Sequence, residues 1–150
     1  MNKEALNYSL RLLDRRDYTK KQLEDKLKSR GVAERDIIEV INYLKEKGYV
    51  DDERYARNYV YFRLKRGYGK KRIRFELLNK GIDEAIIDKA LGLQDEQADE
   101  VFLKKYELLR GKKNLKKKLF DYMQRRGFDS QTIFSLFEKY DVRERIDENG

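Results

Sequence analysis

The sequence predicts an all-α fold: three tandem three-helix repeats, about nine helices, forming an elongated, curved, solenoid-like array. The first observation behind this is that Gly31, Gly81 and Gly127 can be set in register so that three stretches of the chain align without a gap. The second is that apolar residues then recur at fixed offsets. Val32, Ile82 and Phe128 follow the glycine, Ile37, Ile87 and Ile133 lie at plus six, and Ile41, Leu91 and Phe137 lie at plus ten. Upstream, the same holds for Leu27, Leu77 and Met123, for Leu23, Ile73 and Leu119, for Leu10, Val60 and Tyr106, and for Leu6, Ala56 and Phe102. Self-similarity at a period of about 46–50 residues marks a repeat architecture. The third is compositional: no proline, 43% charged residues and a mean hydropathy of -0.96 suit thin stacked layers better than one thick core.

The repeats are expected at residues 1–50, 51–93 and 94–140, with a tail over 141–150 that frays. Each opens on a longer helix, over 3–15, 51–65 and 94–109. Asp51, Asp52 and Glu53 supply acids suited to the N-terminus of the middle one. The second helix of each repeat carries the apolar stripe that ends at the glycine. Thr19 with Gln22 reads as a capping box at the first of these. The glycine supplies the positive φ at the helix end, and the next residue folds back on the fourth before it, so Val32 meets Leu27, Ile82 meets Leu77 and Phe128 meets Met123. A third helix follows each glycine, with Asp83 and Asp129 as N-caps in the later repeats and Ala33 in that place in the first. The tyrosine-rich run 59–62 has β propensity, but the 3.6-residue period on both sides assigns it to helix.

Cysteine and histidine are both absent. Thiolate nucleophiles, histidine bases, Ser-His-Asp triads and zinc sites built on those residues are therefore excluded. No enzymatic activity, cofactor or metal is expected. Asp51, Asp52 and Glu53 are adjacent on a helix and point to different faces, and their place at the helix start already accounts for them. Gly67-Tyr68-Gly69-Lys70-Lys71 lacks the spacing of a phosphate loop and reads as a turn between helices. No apolar run approaches the length of a membrane span and no signal-like start is present, so a cytoplasmic protein without membrane contact is expected; it is also expected to be a monomer.

Charge is distributed unevenly. The net charge is +8. Over residues 63–81, Arg63, Lys65, Arg66, Lys70, Lys71, Arg72, Arg74 and Lys80 face one acid, Glu76. Over 104–126, Lys104, Lys105, Arg110, Lys112, Lys113, Lys116, Lys117, Lys118, Arg125 and Arg126 face Glu107 and Asp121. Both clusters cover the end of a first helix, a turn and a second helix, so stacking would merge them into one basic surface suited to a polyanion or an acidic protein groove. The first repeat interleaves Glu24, Asp25, Glu34 and Asp36 among its bases, as a merely solvated face does. Aromatics lie among the bases at Tyr68, Phe75, Phe120 and Tyr122. Tyr68, in a turn, is the candidate for stacking on an unpaired base, and Phe75 and Phe120 are assigned to packing between neighbouring repeats.

The runs LRLLDRRDYTKKQLEDKLKSRGV (10–32), LKEKGYVDDERYARNYV (44–60) and RGYGKKRIRFELLNKGI (66–82) resemble the RecX family of bacterial recombinase regulators. The resemblance covers about 3–140 and is strongest through Ile82. It implies tandem three-helix repeats and a non-enzymatic protein that lodges in the helical groove of the RecA filament on single-stranded DNA. It also implies restraint of the recombinase, ATPase and repressor-cleaving activities of RecA. The basic residues 63–74 and 112–126 named above are then the contacts to RecA or DNA, and 51–55, within the family signature, are expected to orient the second repeat on the first. The alternative is a free-standing basic helical protein that binds nucleic acid without strong sequence preference.

Overall fold

A computed structural model describes residues 1–144. Among the described residues there are nine helices and no strand: α1 (Lys3–Arg15), α2 (Lys20–Ser29), α3 (Glu34–Glu46), α4 (Asp52–Lys65), α5 (Lys70–Asn79), α6 (Glu84–Gly92), α7 (Ala98–Leu109), α8 (Leu115–Arg126) and α9 (Ser130–Lys139). They fall into two compact units. The first comprises Met1–Tyr59 and Glu76–Leu93, and the second comprises Val60–Phe75 and Gln94–Gly150. Helices α4 and α5 thus contribute residues to each.

The repeat stripe is the core. In the first unit Leu23, Leu27, Ile37 and Ile41 are buried with Ala5, Val40 and Leu44, while Leu6, Leu10 and Val32 are half-buried against them. In the second unit Leu119, Met123, Phe128 and Ile133 close round Phe102, which is fully buried. Its ring lies 5.8 Å from those of both Phe137 and Tyr140.

The glycines end helices by the expected bond pattern. Val32 N–H donates to Leu27 O at 3.1 Å, Ile82 to Leu77 at 3.3 Å and Phe128 to Met123 at 3.1 Å. Tyr49 on Leu44 and Tyr68 on Arg63 repeat it after Gly48 and Gly67, so α3 and α4 end in the same way. At the end of α9 an aspartate stands in for glycine: Asp141 has φ 46°, and Val142 donates to Phe137 O at 3.0 Å.

Each unit contains one further joint of the same kind, where the end of one second helix meets the start of another. In the first unit Thr19 completes its capping box with Gln22 and also donates its hydroxyl to Lys80 O at 2.7 Å, satisfying a carbonyl at the end of α5. In the second unit Gly69 N–H donates to Arg126 O at 2.7 Å and Lys71 N–H to Gly127 O at 3.1 Å. The approach is close enough that a Cβ on Gly69 would overlap the Gly127 carbonyl, and one on Gly127 would overlap Arg72.

Three sequence expectations need correction. Helix α7 starts at Ala98 rather than at 94, because Glu96 is drawn to the start of α5, where it accepts from Lys70 N–H at 2.7 Å. The expected frayed tail is held over 141–144: Val142 is buried and Glu144 accepts from Leu115 N–H at 3.0 Å and Lys116 N–H at 2.9 Å. Its remaining residues, 145–150, lie outside the described residues. Phe75 packs against no neighbouring repeat, being 65% exposed, since it sits two residues from both Ile73 and Leu77 and so on the opposite face of α5. Phe120 does pack, inside its own repeat, with its ring 5.4 Å from that of Phe134.

The glycines are not equivalent to substitution. Around Gly31, at φ 78°, a Cβ meets nothing, so Gly31→Ala is expected to cost only the left-handed strain, about 1–2 kcal/mol. Gly127, at φ 99°, has the same strain plus the overlap with Arg72, so Gly127→Ala is expected to cost clearly more in urea unfolding. Equal losses in the two variants would contradict the close joint.

Candidate nucleic-acid and protein interface

The start of each second helix is poor in acid. None of α2, α5 and α8 has an acidic residue in its first turn, and each opens on bases: Lys20 and Lys21, then Lys70, Lys71 and Arg72, then Lys116, Lys117 and Lys118. Positive charge there opposes the helix dipole. In each case a carboxylate from elsewhere in the chain answers it. Asp52 Oδ1 accepts from Lys20 N–H at 2.9 Å, Glu96 serves α5 and Glu144 serves α8. Asp52 thereby fixes the start of α4 on α2, while Asp51 caps its own helix by accepting from Arg54 N–H at 3.0 Å. Burial pushes the Asp52 carboxyl above the usual aspartate range, against the lowering effect of the Lys20 N–H bond and the Lys20 charge.

Charge separates cleanly by unit. The first holds sixteen basic and sixteen acidic residues. The second holds twenty basic and twelve acidic ones, the whole net charge of +8. Within it, Val60–Phe75 has seven bases and no acid. Of the bases named from sequence, Arg63, Lys65, Arg66, Lys70, Lys71, Arg72, Arg74, Lys112, Lys113, Lys116, Lys117, Lys118, Arg125 and Arg126 all belong to this unit. Lys80, from the first cluster, belongs to the other.

Ten of these fourteen bases fall into two kinds; of the others, Lys65 and Arg66 are exposed and Lys70 and Arg74 half-buried. Three arginines gather on Tyr68, with the guanidinium carbons of Arg63, Arg72 and Arg126 at 3.7, 4.5 and 4.7 Å from the ring centroid. Arg72 also donates to Arg125 O at 3.1 Å, and Arg126 to Arg66 O at 2.9 Å. They are tied into the α5–α8 joint, and Tyr68, expected to stack on a base, is instead engaged by guanidinium groups. The second kind is exposed. Lys71, Lys112, Lys113, Lys116, Lys118 and Arg125 lie at the surface, and Lys117 is there too, bonded to Asp121 at 2.9 Å. Sequence reasoning missed the ring of Phe62, 60% exposed, and assigned the exposed ring of Phe75 to packing. The signal was present, because each lies opposite the buried stripe of its helix.

Helices α7 and α9 are joined by Asp99, which accepts from Lys139 Nζ and from Tyr140 Oη at 2.6 Å. The Lys139 bond, then the Tyr140 bond, hold the Asp99 carboxyl below its usual range.

Two family models match the chain: "RecX, first three-helix domain" over residues 5–44 and "RecX, second three-helix domain" over 51–91. The chain belongs to the RecX family. The regulatory protein RecX of Caldanaerobacter subterraneus is 38% identical over 87% of this chain and 68% of its own length. The RecX of Chlorobium phaeobacteroides is 36% identical over 88% of this chain and 90% of its own. The crystal structure of RecX from Lactobacillus salivarius superposes with a TM-score of 0.85 at 29% identity, covering 94% of this chain and 97% of that one. A RecX-family regulatory protein built of three-helix domains is thus the identity that fold and relatives share. No helix among the described residues is long and apolar enough to cross a membrane.

Two carboxylates give opposite pH signatures. Asp99, lowered in the folded state, contributes stability that is present above about pH 4 and lost as pH falls through its folded pKa. Thermal unfolding of Asp99→Asn should therefore show a smaller acid-side decline than the parent chain. Asp52 is raised, so its ionisation costs stability as pH rises through its folded pKa. Asp52→Asn keeps an acceptor for Lys20 and should be as stable as the parent at pH 7, whereas Asp52→Ala should lose about 1 kcal/mol. Equal losses in both variants would refute the capping role.

Proposed function

We propose that this RecX-family protein regulates RecA by binding its filament on single-stranded DNA, in the helical groove, and there inhibits the recombinase, ATPase and coprotease activities. The basic face of the second unit is the contact surface. What carries this reading is the segregation of charge: a neutral first unit, and a second that holds all of the excess, much of it in exposed lysines. Such a surface complements a polyanion or an acidic groove and accelerates the encounter with it.

A helix-turn-helix role that reads base sequence is poorly supported. Helix α6 offers one base, Lys89, and α9 offers one, Lys139, which is already committed to Asp99.

Lys71, Lys118 and Arg125 are exposed, and Lys118 and Arg125, seven residues apart, share a flank of α8. Reversing all three to glutamate avoids the stapled Arg63, Arg72 and Arg126. The triple variant should need roughly tenfold or more protein to inhibit the DNA-dependent ATPase of RecA, with unchanged helical circular dichroism. Inhibition at the parent concentration would remove this face from the mechanism.

A further inference from the structure

Resting on the reading of this basic face as the functional one, we infer that it holds single-stranded nucleic acid directly, with a phosphodiester seated beside the end of α4 and an unpaired base stacked on Phe62. A cavity of about 170 Å3 opens there, lined by Lys65, Arg66, Lys104, Tyr122 and Arg126, with Glu100 the acid among them. Arg126 is fixed in place by its bond to Arg66 O and by the rings of Tyr68 and Tyr122. Lys65 Nζ is held 4.6 Å from the centre of the Tyr61 ring. The cavity therefore presents in Arg126 a cation whose position is set before a ligand arrives, and its size suits a phosphate.

One turn before Lys65 on the same helix stands Phe62, 60% exposed, its ring edge-to-face with Tyr61 at 5.2 Å. Phe75 on α5 repeats the arrangement, 65% exposed with Lys71 one turn away. A flat ring beside a cation, occurring twice in a segment with seven bases and no acid, combines the two things a single strand offers, a base face and a phosphate. A protein partner fits less well, since the centres of protein interfaces are depleted in lysine.

Anisotropy of a labelled oligothymidylate, measured with the full chain in the absence of RecA over a salt series, tests this. The parent should bind with affinity that falls as salt rises, by about 0.7 log units per log unit of salt for each phosphate neutralised. Phe62→Ala should weaken binding about tenfold at an unchanged salt slope, and Phe62→Trp should restore it. Lys65→Glu with Lys104→Glu should flatten the slope. All these side chains are exposed, and thermal unfolding would confirm that the variants fold. No oligonucleotide binding by the parent even at low salt would overturn the inference. So would Phe62→Ala and the double variant binding the oligonucleotide as the parent does but losing inhibition of RecA; the face would then meet protein, and the RecA reading would stand. Oligonucleotide binding as expected with no RecA inhibition by the parent would instead sink the RecA reading alone.

Discussion

The structure depends on a carboxylate returned to the start of each second helix. Helices α2, α5 and α8 carry bases and no acid in their first turns, where the dipole favours acids and where four backbone N–H groups lack partners within the helix. Asp52, Glu96 and Glu144 offset both deficits from distant points of the chain. Each lies just beyond the third helix of its repeat, so the bond that steadies the second helix also closes the three-helix layer. The basic starts of α5 and α8 can thus carry surface charge without unravelling.

Around Tyr68 a second arrangement separates holding from reaching. Arg63, Arg72 and Arg126 lie against the ring and, for the last two, bond carbonyls at neighbouring helix ends. Guanidinium suits this task because it is planar, stacks on aromatic faces and donates in a fixed fork. The exposed positions are mostly lysines, whose flexible stems let the charge search for a partner. Arginines bonded at the joint and exposed lysines elsewhere on the same unit thus take different tasks.

Much of this was legible in the sequence. The stripe aligned on Gly31, Gly81 and Gly127 located the core, because one apolar period served all three repeats, and the same alignment placed the capping turns. Asp52 was legible as a joint between repeats, but Glu96 and Glu144 were not: they stand 15 and 17 residues after their glycines, Asp52 stands 21 after its own, and no constant spacing announces them. The basic clusters were visible as composition, while the distinction between stapled and exposed bases was not, since it arises from the approach of Gly69 to Gly127 across 58 residues of chain. Phe75 was misplaced because hydrophobicity outweighed phase. Its position two residues from Ile73 and from Leu77 already turned it outward.

The second unit contains no histidine and no cysteine, the side chains whose ordinary pKa lies nearest neutrality. Histidine protonation and thiol oxidation are therefore closed to its basic face as ways of responding to the surroundings. Among the variables of its surroundings, ionic strength alone sets how far its field extends, shrinking from roughly 30 Å at 0.01 M salt to 8 Å at 0.15 M.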